Sequence, residues 1–417
     1  MTADAIRELV EQYARAVDAR NPEALVALFT PDAVVTLPDA LAGDVLPTEL
    51  TGAEIARIVE GVSGFDRTRH VIDEHVIDQH RATLDDTIAH AETVCTAHHV
   101  TGDQDLVLTV RYRDTFARHD GRWRFARRDL QLDAGRRQDV RPVAMVTGAT
   151  RGIGRAIAIA FASAGFDVVI TGRTVHEGSG RVPPRIRGGD GSELPVAGSL
   201  ETTAAEITAA GAEPLAVPMD LTDRDSVVDA GARALRAFGR VDVLVNNAIV
   251  HLPGSHDPLR ALDTATLDDA MRANVTHQLL LVQQVLPNMV ERGGGVIVDV
   301  YSGSATTDPP GPPDAGGWGL AYSASKAAFG RIAGAVNAEY RERGIRAFNL
   351  DPGFVVTEAG AVRGGTADIA AQGFDTASPR AAAAVAVYLA TAPDADRLLG
   401  KVVRAPKLAA ELGLLES

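Results

Sequence analysis

Thr147-Gly148-Ala149-Thr150-Arg151-Gly152-Ile153-Gly154 decides the fold of the larger part of this chain. It follows the apolar run Pro142-Val143-Ala144-Met145-Val146 and opens Arg155-Ala156-Ile157-Ala158-Ile159-Ala160-Phe161-Ala162, a helix-compatible segment. Strand, glycine turn and helix in that order are the setting of a dinucleotide site. The glycines let the backbone turn tightly and approach a pyrophosphate, whose charge then rests at the helix N-terminus. A site of this kind normally starts its domain, yet residues 1–141 precede its first strand. They must form a second unit.

From residue 142 onward, apolar runs alternate with helix-compatible stretches. The strand candidates are Val143–Val146, Val168–Thr171, Pro214–Val217, Val241–Val245, Val296–Val300, Ala347–Leu350 and Val402–Val403. Continuous apolar strands with helices between them predict a parallel sheet covered on both faces, an α/β doubly wound domain over 142–417. Thr174–Ser199 and Asp308–Trp318, rich in Gly and Pro, read as loops, and loops this long tend to be functional or mobile.

The polar, aperiodic stretch 134–141 reads as a linker, leaving an N-terminal domain over 1–133. That domain opens with helical spacing of Ile6, Leu9, Val10, Tyr13, Ala14 and Val17. It closes with strand-like runs, Asp105–Phe116 and Arg122–Leu130, joined by the hairpin signal His119-Asp120-Gly121. Helices first and a curved antiparallel sheet afterwards predict α+β.

With 417 residues, 46% hydrophobic and 23% charged, the chain has the composition of a soluble protein of two or three domains. Its single cysteine, Cys95, excludes an intrachain disulfide and suits a reducing compartment. The N-terminus lacks a signal-peptide pattern and no run of ~18 apolar residues occurs, so a cytoplasmic enzyme is expected. A net charge of −14 argues against nucleic acid and anionic membranes as partners, leaving a small-molecule substrate.

Tyr322-Ser323-Ala324-Ser325-Lys326 places Tyr and Lys at i and i+4 on one helix face. An ammonium beside the phenol would lower its pKa from ~10 towards operating pH and fit it to exchange a proton with a carbonyl or carbinol oxygen. Lysine is almost absent from this chain; Lys326, Lys401 and Lys407 are its only examples.

The same region carries Asn246-Asn247-Ala248 after one strand, Asn274 in a helix, Ser302 after another strand, and Pro352-Gly353 after a third. Taken with the glycine turn and the Tyr/Lys pair, this set resembles the short-chain dehydrogenase/reductase family over residues 141–405. The resemblance implies a Rossmann-type sheet, a homo-oligomer of two or four subunits, and hydride exchange between a nicotinamide and an alcohol or carbonyl. It implies Tyr322 as acid/base, Lys326 as its tuner and ribose ligand, Ser302 as substrate orienter, and Asn274 as holder of a relay water. Gly148, Arg151, Gly152, Ile153, Gly154, Asp220, Leu221, Asn247, Ala248, Pro352, Gly353 and Thr357 fall where the family holds its cofactor. Ile249 stands where the family usually has glycine, and the insert 308–318 makes Ser304 a rival to Ser302.

The second strand ends in Thr171-Gly172-Arg173-Thr174, with no acid to hold the ribose hydroxyls of NAD. Arg173 and Arg151 suit a 2′-phosphate instead, so NADP(H) is expected in preference to NAD(H).

Most of the eleven histidines lie before residue 140: His70, His75, His80, His90, His98, His99 and His119. None has a compact metal-ligand spacing, and no metal is expected. The helix at Ile6–Arg20, the phrase Asn21-Pro22-Glu23-Ala24-Leu25 and Arg122-Trp123-Arg124-Phe125 resemble the SnoaL-like group of the nuclear transport factor 2-like superfamily. That implies a cone of helices on a curved sheet around one pocket. In the scytalone dehydratase type, an aspartate on the first helix and two histidines remove water. Asp18 and His70 fall at similar positions, with His98 or His99 as the third group; Val17 stands where that enzyme has tyrosine. The reading is an NADP(H)-dependent oxidoreductase acting on a cyclic or polyketide-like small molecule, with a second, dehydratase-like site. The alternative is a reductase whose first domain only binds or dimerises.

Overall fold

Ile6, Leu9, Val10, Tyr13 and Val17 recur at helical spacing and give α1 (Thr2–Asp18) one buried apolar face. Asn21 then caps α2 (Pro22–Val26), its Oδ1 accepting from the Ala24 N–H at 2.9 Å. The computed structural model describes residues 2–43, 45–77, 87–184, 193–364 and 375–415, and divides the chain into units Met1–Val140 and Arg141–Ser417.

The first unit continues with β1 (Phe29–Thr36), α3 (Asp39–Ala42), β2 (Glu49–Thr51) and α4 (Ile58–Gly61). Four long strands follow: β3 (Arg67–Ile77), β4 (Ile88–Thr101), β5 (Gln104–His119) and β6 (Arg122–Asp139). They form one sheet of order β2-β1-β6-β5-β4-β3, antiparallel except where β1 meets β6. Asp120 and Gly121 both take left-handed backbone, φ 50° and 75°, as a two-residue hairpin turn requires.

One expectation fails here. Residues 134–139, read as linker, extend β6 and pair with β5 down to Gln104↔Asp139. Ladder hydrogen bonds use backbone groups, so a polar stretch can be strand.

At the heart of this unit the fully buried Arg128 binds Asp114 through Nε and Nη2, both at 2.7 Å. Its guanidinium lies 4.1–4.3 Å from the ring centres of Tyr13, Phe125 and Tyr112. Two opposite charges bonded in this way and faced by π-systems are compensated for their loss of water, and they tie α1 to the sheet.

In the second unit β7 (Val143–Val146), α5 (Gly152–Ser163) and β8 (Asp167–Gly172) form the first crossover. A small pair, β9 (Arg181–Val182) with β10 (Leu194–Pro195), stands inside the expected loop 174–199, whose residues 185–192 lie outside the described residues. Then come α6 (Leu200–Ala209), β11 (Pro214–Pro218), α7 (Arg224–Phe238) and β12 (Val243–Asn246). After α8 (Thr264–Met271) and α9 (His277–Glu291) lie β13 (Gly295–Val300), α10 (Leu320–Phe329), α11 (Arg331–Tyr340) and β14 (Ile345–Asp351). The last pieces used below are α12 (Glu358–Arg363) and β15 (Val402–Arg404).

The seven-stranded sheet is parallel, in the order β11-β8-β7-β12-β13-β14-β15. Its central strands are buried on both faces, which explains their unbroken apolar sequences. Strand order reverses between β7 and β12, and an open α/β sheet binds ligands in the crevice beyond that switch point. The α/β doubly wound sheet preceded by an α+β unit is the architecture expected.

Candidate active site

The glycine turn leaves β7 directly over this crevice. Gly148 and Gly152 have φ of +66° and +56°, open only to glycine at low strain. A Cβ on Gly154 would lie 2.3 Å from Gly148 O and 2.4 Å from Asn247 Nδ2, so no side chain fits. Thr147 Oγ1 accepts from the N–H groups of Asn247 and Ala248 at 2.9 and 3.0 Å, and Asn247 Nδ2 donates to Thr147 O at 2.8 Å. The turns after β7 and β12 are thereby locked together, with the first amides of α5 facing the crevice. This cradle fits a pyrophosphate.

A cleft of about 1160 Å³ runs from the cradle across the sheet end, lined by Gly148, Gly152, Ile153, Arg173, Asp220, Leu221, Ala248, Pro352, Gly353 and Thr357. Asp220 Oδ1 accepts from Thr222 N–H and Oγ1, both at 2.8 Å, which fixes its carboxylate. Arg173 is exposed just past β8. Arg151 is less available than its place in the motif suggests. Its Nε donates to Ala197 O at 2.7 Å, and its Nη2 to Gly198 O and Thr174 Oγ1 at 2.6 and 3.1 Å. It anchors the loop before α6.

Tyr322 and Lys326 share a face of α10 at the other end of the cleft. Ser302 caps the short turn after β13, its Oγ 2.9 Å from Ser304 Oγ, and both hydroxyls act on the Tyr322 phenol. The geometry therefore keeps both serines. Lys326 Nζ donates to Val300 O at 2.6 Å; burial pushes the ammonium down to about 8, partly offset by Asp299 and Asp351. Burial likewise pushes Asp299 up to about 7, against the Asn246 amide at 2.9 Å and Lys326.

The expected tyrosine shift is reversed in this arrangement. Burial raises Tyr322 above its ordinary value, Ser302 and Ser304 pull it back, Asp351 adds to the rise, and Lys326 is not among the groups that set it. Desolvating a phenolate outweighs two hydroxyl contacts. Asn274 lies in a π turn, Arg272–Thr276, and its side chain is committed to Val250: Oδ1 accepts from N–H at 2.8 Å and Nδ2 donates to O at 3.0 Å.

Sequence reasoning missed two neighbours. His251 and His256 stack on Tyr322, ring centres 5.6 and 5.7 Å away, and on each other at 5.6 Å. Burial, then Arg363, His256 and Lys326, hold His251 well below the ordinary imidazole range, so it is a neutral donor and acceptor. The inserted loop supplies Gly316, Gly317 and Trp318 to the same wall, and Ile249 lines it too. Nothing in the spacing of His251 and His256 announces that the chain folds them back over α10.

In the first unit Asp18 and His70 do meet. Asp18 Oδ1 lies 2.7 Å from His70 Nδ1, and Oδ2 accepts from the His70 backbone N–H at 2.9 Å. Burial would raise Asp18, but His70 and Thr68 hold it below the ordinary value. The third member is His99 and not His98. His70 pairs with Ala97, so His99, two residues on, shares the His70 face, and its ring stands edge-on to His70 at 5.5 Å. His98 points to the other face and binds Asp105 at 2.7 Å. His80 lies outside the described residues. Among the described residues no three His, Cys, Asp or Glu side chains cluster to hold a metal, and no helix is long and apolar enough to cross a membrane.

Burial, then His70, pushes His99 down to about 4 from its usual 6.5. The unfolded chain therefore takes up the proton first on acidification, and folding stability falls from pH 6.5 to about 4. The Asp18 contribution is lost lower, as pH falls below 3.8. Melting temperature followed from pH 7 to 4 should thus drop less steeply in His99→Gln than in the wild type. Parallel curves would show that His99 is not held neutral.

Comparison with known proteins agrees with this geometry. A family model described as short chain dehydrogenase matches residues 142–181 and 195–365, half of the chain, and one described as SnoaL-like domain matches residues 2–129. A short chain dehydrogenase of Monascus purpureus is 34% identical over 219 residues, which span 51% of this chain and 64% of that protein. A solved structure from Beutenbergia cavernae, assigned as an NAD(P) dependent gluconate 5-dehydrogenase and holding NADP at low occupancy, matches at 29% identity and TM-score 0.51. The match covers 63% of this chain and 94% of that one. A short chain dehydrogenase from Mycobacterium paratuberculosis bound to NAD shares the fold, at 24% identity and TM-score 0.52, over 64% and 96% of the two chains.

Proposed function

The chain belongs to the short chain dehydrogenase family, and from that premise we propose that it is an NADP(H)-preferring oxidoreductase that interconverts a carbonyl and an alcohol on a cyclic, polyketide-like small molecule. The observation that carries this reading is one cleft holding both the glycine cradle and the Tyr322, Ser302, Ser304 and Lys326 cluster. The bound nicotinamide supplies or accepts the hydride. Ser302 and Ser304 hold the substrate oxygen by hydrogen bonds, and Tyr322 Oη gives it a proton during reduction or takes one during oxidation. A phenol kept protonated by burial is ready as the acid of a reduction. Lys326 holds positive charge beside the site. The rings of His251 and His256, stacked beside Tyr322 in a cleft also lined by Trp318, suit a ring-shaped substrate.

The first unit serves as a dehydratase on this reading. His70, paired with Asp18 and beside His99, takes a proton from the carbon next to the alcohol carbon and returns it to the departing hydroxyl, which leaves as water while the double bond forms. A module that only binds or dimerises is the other outcome of the test given in the Discussion.

Preference for NADP(H) rests mainly on Arg173, since Arg151 is largely spent on the loop. Arg173→Ala should weaken NADPH by about one or two decades, the worth of a charge-assisted contact, and leave NADH nearly unchanged. Fluorescence titration of both cofactors reads this directly. Equal losses for the two would show that Arg173 does not read a 2′-phosphate.

A further inference from the structure

Five arginines line the nucleotide cleft, and of these Arg181 is bonded to Gly178 O and Gly180 O while Arg404 is exposed. Arg151 is bonded to the loop before α6, and Arg173 stands in solvent beyond β8. Arg363, the last residue of α12, is different: it lines the cleft, and its Nε is buried without a hydrogen-bond partner. Among the described residues it makes no ion pair or hydrogen bond. Arg363 is half-buried, and an Nε held from water without an acceptor is costly; a bound anion would supply the missing partner.

Its position says which anion. α12 springs from Thr357, whose Cγ2 would meet a Cβ on Gly152 at 2.9 Å, so it starts against the turn that opens α5. Arg363 acts on the charge of His251, at the substrate end, and is itself acted on by Arg173 and Arg151, at the ribose end. Carried on a helix that starts at the glycine turn and lining the same cleft, it stands on the side of the cradle that would receive a pyrophosphate. Glu358 adds a carboxylate near the same turn, 3.6 Å from that Gly152 Cβ. With Arg151 occupied, a doubly charged ligand there needs a further cation.

We infer that Arg363 is a pyrophosphate clamp, carried on α12 and complementing the amide N–H groups of the α5 N-terminus. This rests on the dinucleotide reading above and adds to it a residue that neither glycine turn nor Tyr/Lys pair contains. The repulsion among Arg151, Arg173 and Arg363, which with burial pushes Arg363 down to about 10, is relieved when phosphate enters.

Calorimetric titration of the full chain with NADH, NADPH and ADP-ribose tests the clamp without turnover. ADP-ribose carries the pyrophosphate but neither nicotinamide nor 2′-phosphate. Arg363→Gln should weaken all three by a similar factor, about tenfold or more, with an unchanged melting temperature. Arg363→Lys, keeping the charge but losing the fork, should recover part of the loss. A loss confined to NADPH would make Arg363 a reader of the 2′-phosphate and overturn the clamp. So would unchanged affinity for all three. If the wild type binds none of them, the dinucleotide reading itself falls, an outcome distinct from both.

Discussion

Replacing Tyr322 with phenylalanine should cut turnover by about 10²–10⁴-fold while leaving the NADPH dissociation constant nearly unchanged. The phenol is half-buried in the cleft wall, and that burial raises it above its ordinary value, which favours the protonated form. Its proton matters only as charge develops on the substrate oxygen between Ser302 and Ser304, so ground-state contacts to a dinucleotide survive its loss. Phenylalanine also keeps the ring that His251 and His256 stack against, which protects the wall of the pocket. Initial rates and a binding titration on the same preparation separate the two effects. Residual activity above a tenth of wild type would remove Tyr322 from the mechanism.

Asp18→Asn should abolish dehydration and leave NADPH oxidation intact, so that the product becomes heavier by one water. The amide is nearly isosteric and still bonds His70, but it cannot take a proton; loss of a general base is worth about 10²–10⁴-fold. His70→Ala should give the same product, provided its melting temperature shows that the cavity is tolerated. Product masses decide the matter. If both folded variants yield the wild-type product, the first unit is a binding or assembly module and the dehydratase reading is lost.

The parallel sheet was legible because its strands are buried on both faces, which leaves unbroken apolar runs such as Val143–Val146 and Val296–Val300. The Tyr322/Lys326 pair was legible because i,i+4 spacing on a helix is local. Where pairing between distant strands decides the outcome, the sequence is silent. The 134–139 stretch is polar and aperiodic, and only its register with β5 marks it as strand. The choice between His98 and His99 turned on a register of one residue, which reverses the face. β4 itself hides its alternation behind small and polar residues, Ala89, Ala91, Thr93 and Cys95, on its buried side.

Burial misled in the same way. The lysine one turn from Tyr322 suggested a lowered phenol, but desolvation, a property of the whole fold, raises it. His251 and His256 reach Tyr322 because the segment after β12 folds back across α10, and Arg363 reaches the cleft because α12 starts at the glycine turn. None of these approaches has a sequence period.

Hydride transfer itself is the most direct test of the account. The full chain would be given NADPH deuterated at both C4 positions of the nicotinamide and a panel of cyclic ketones, and the products weighed. The account predicts an alcohol, or its dehydrated product, carrying one deuterium from the cofactor, with the transfer lost in Tyr322→Phe. Tight NADPH binding with no deuterium in any product would contradict it.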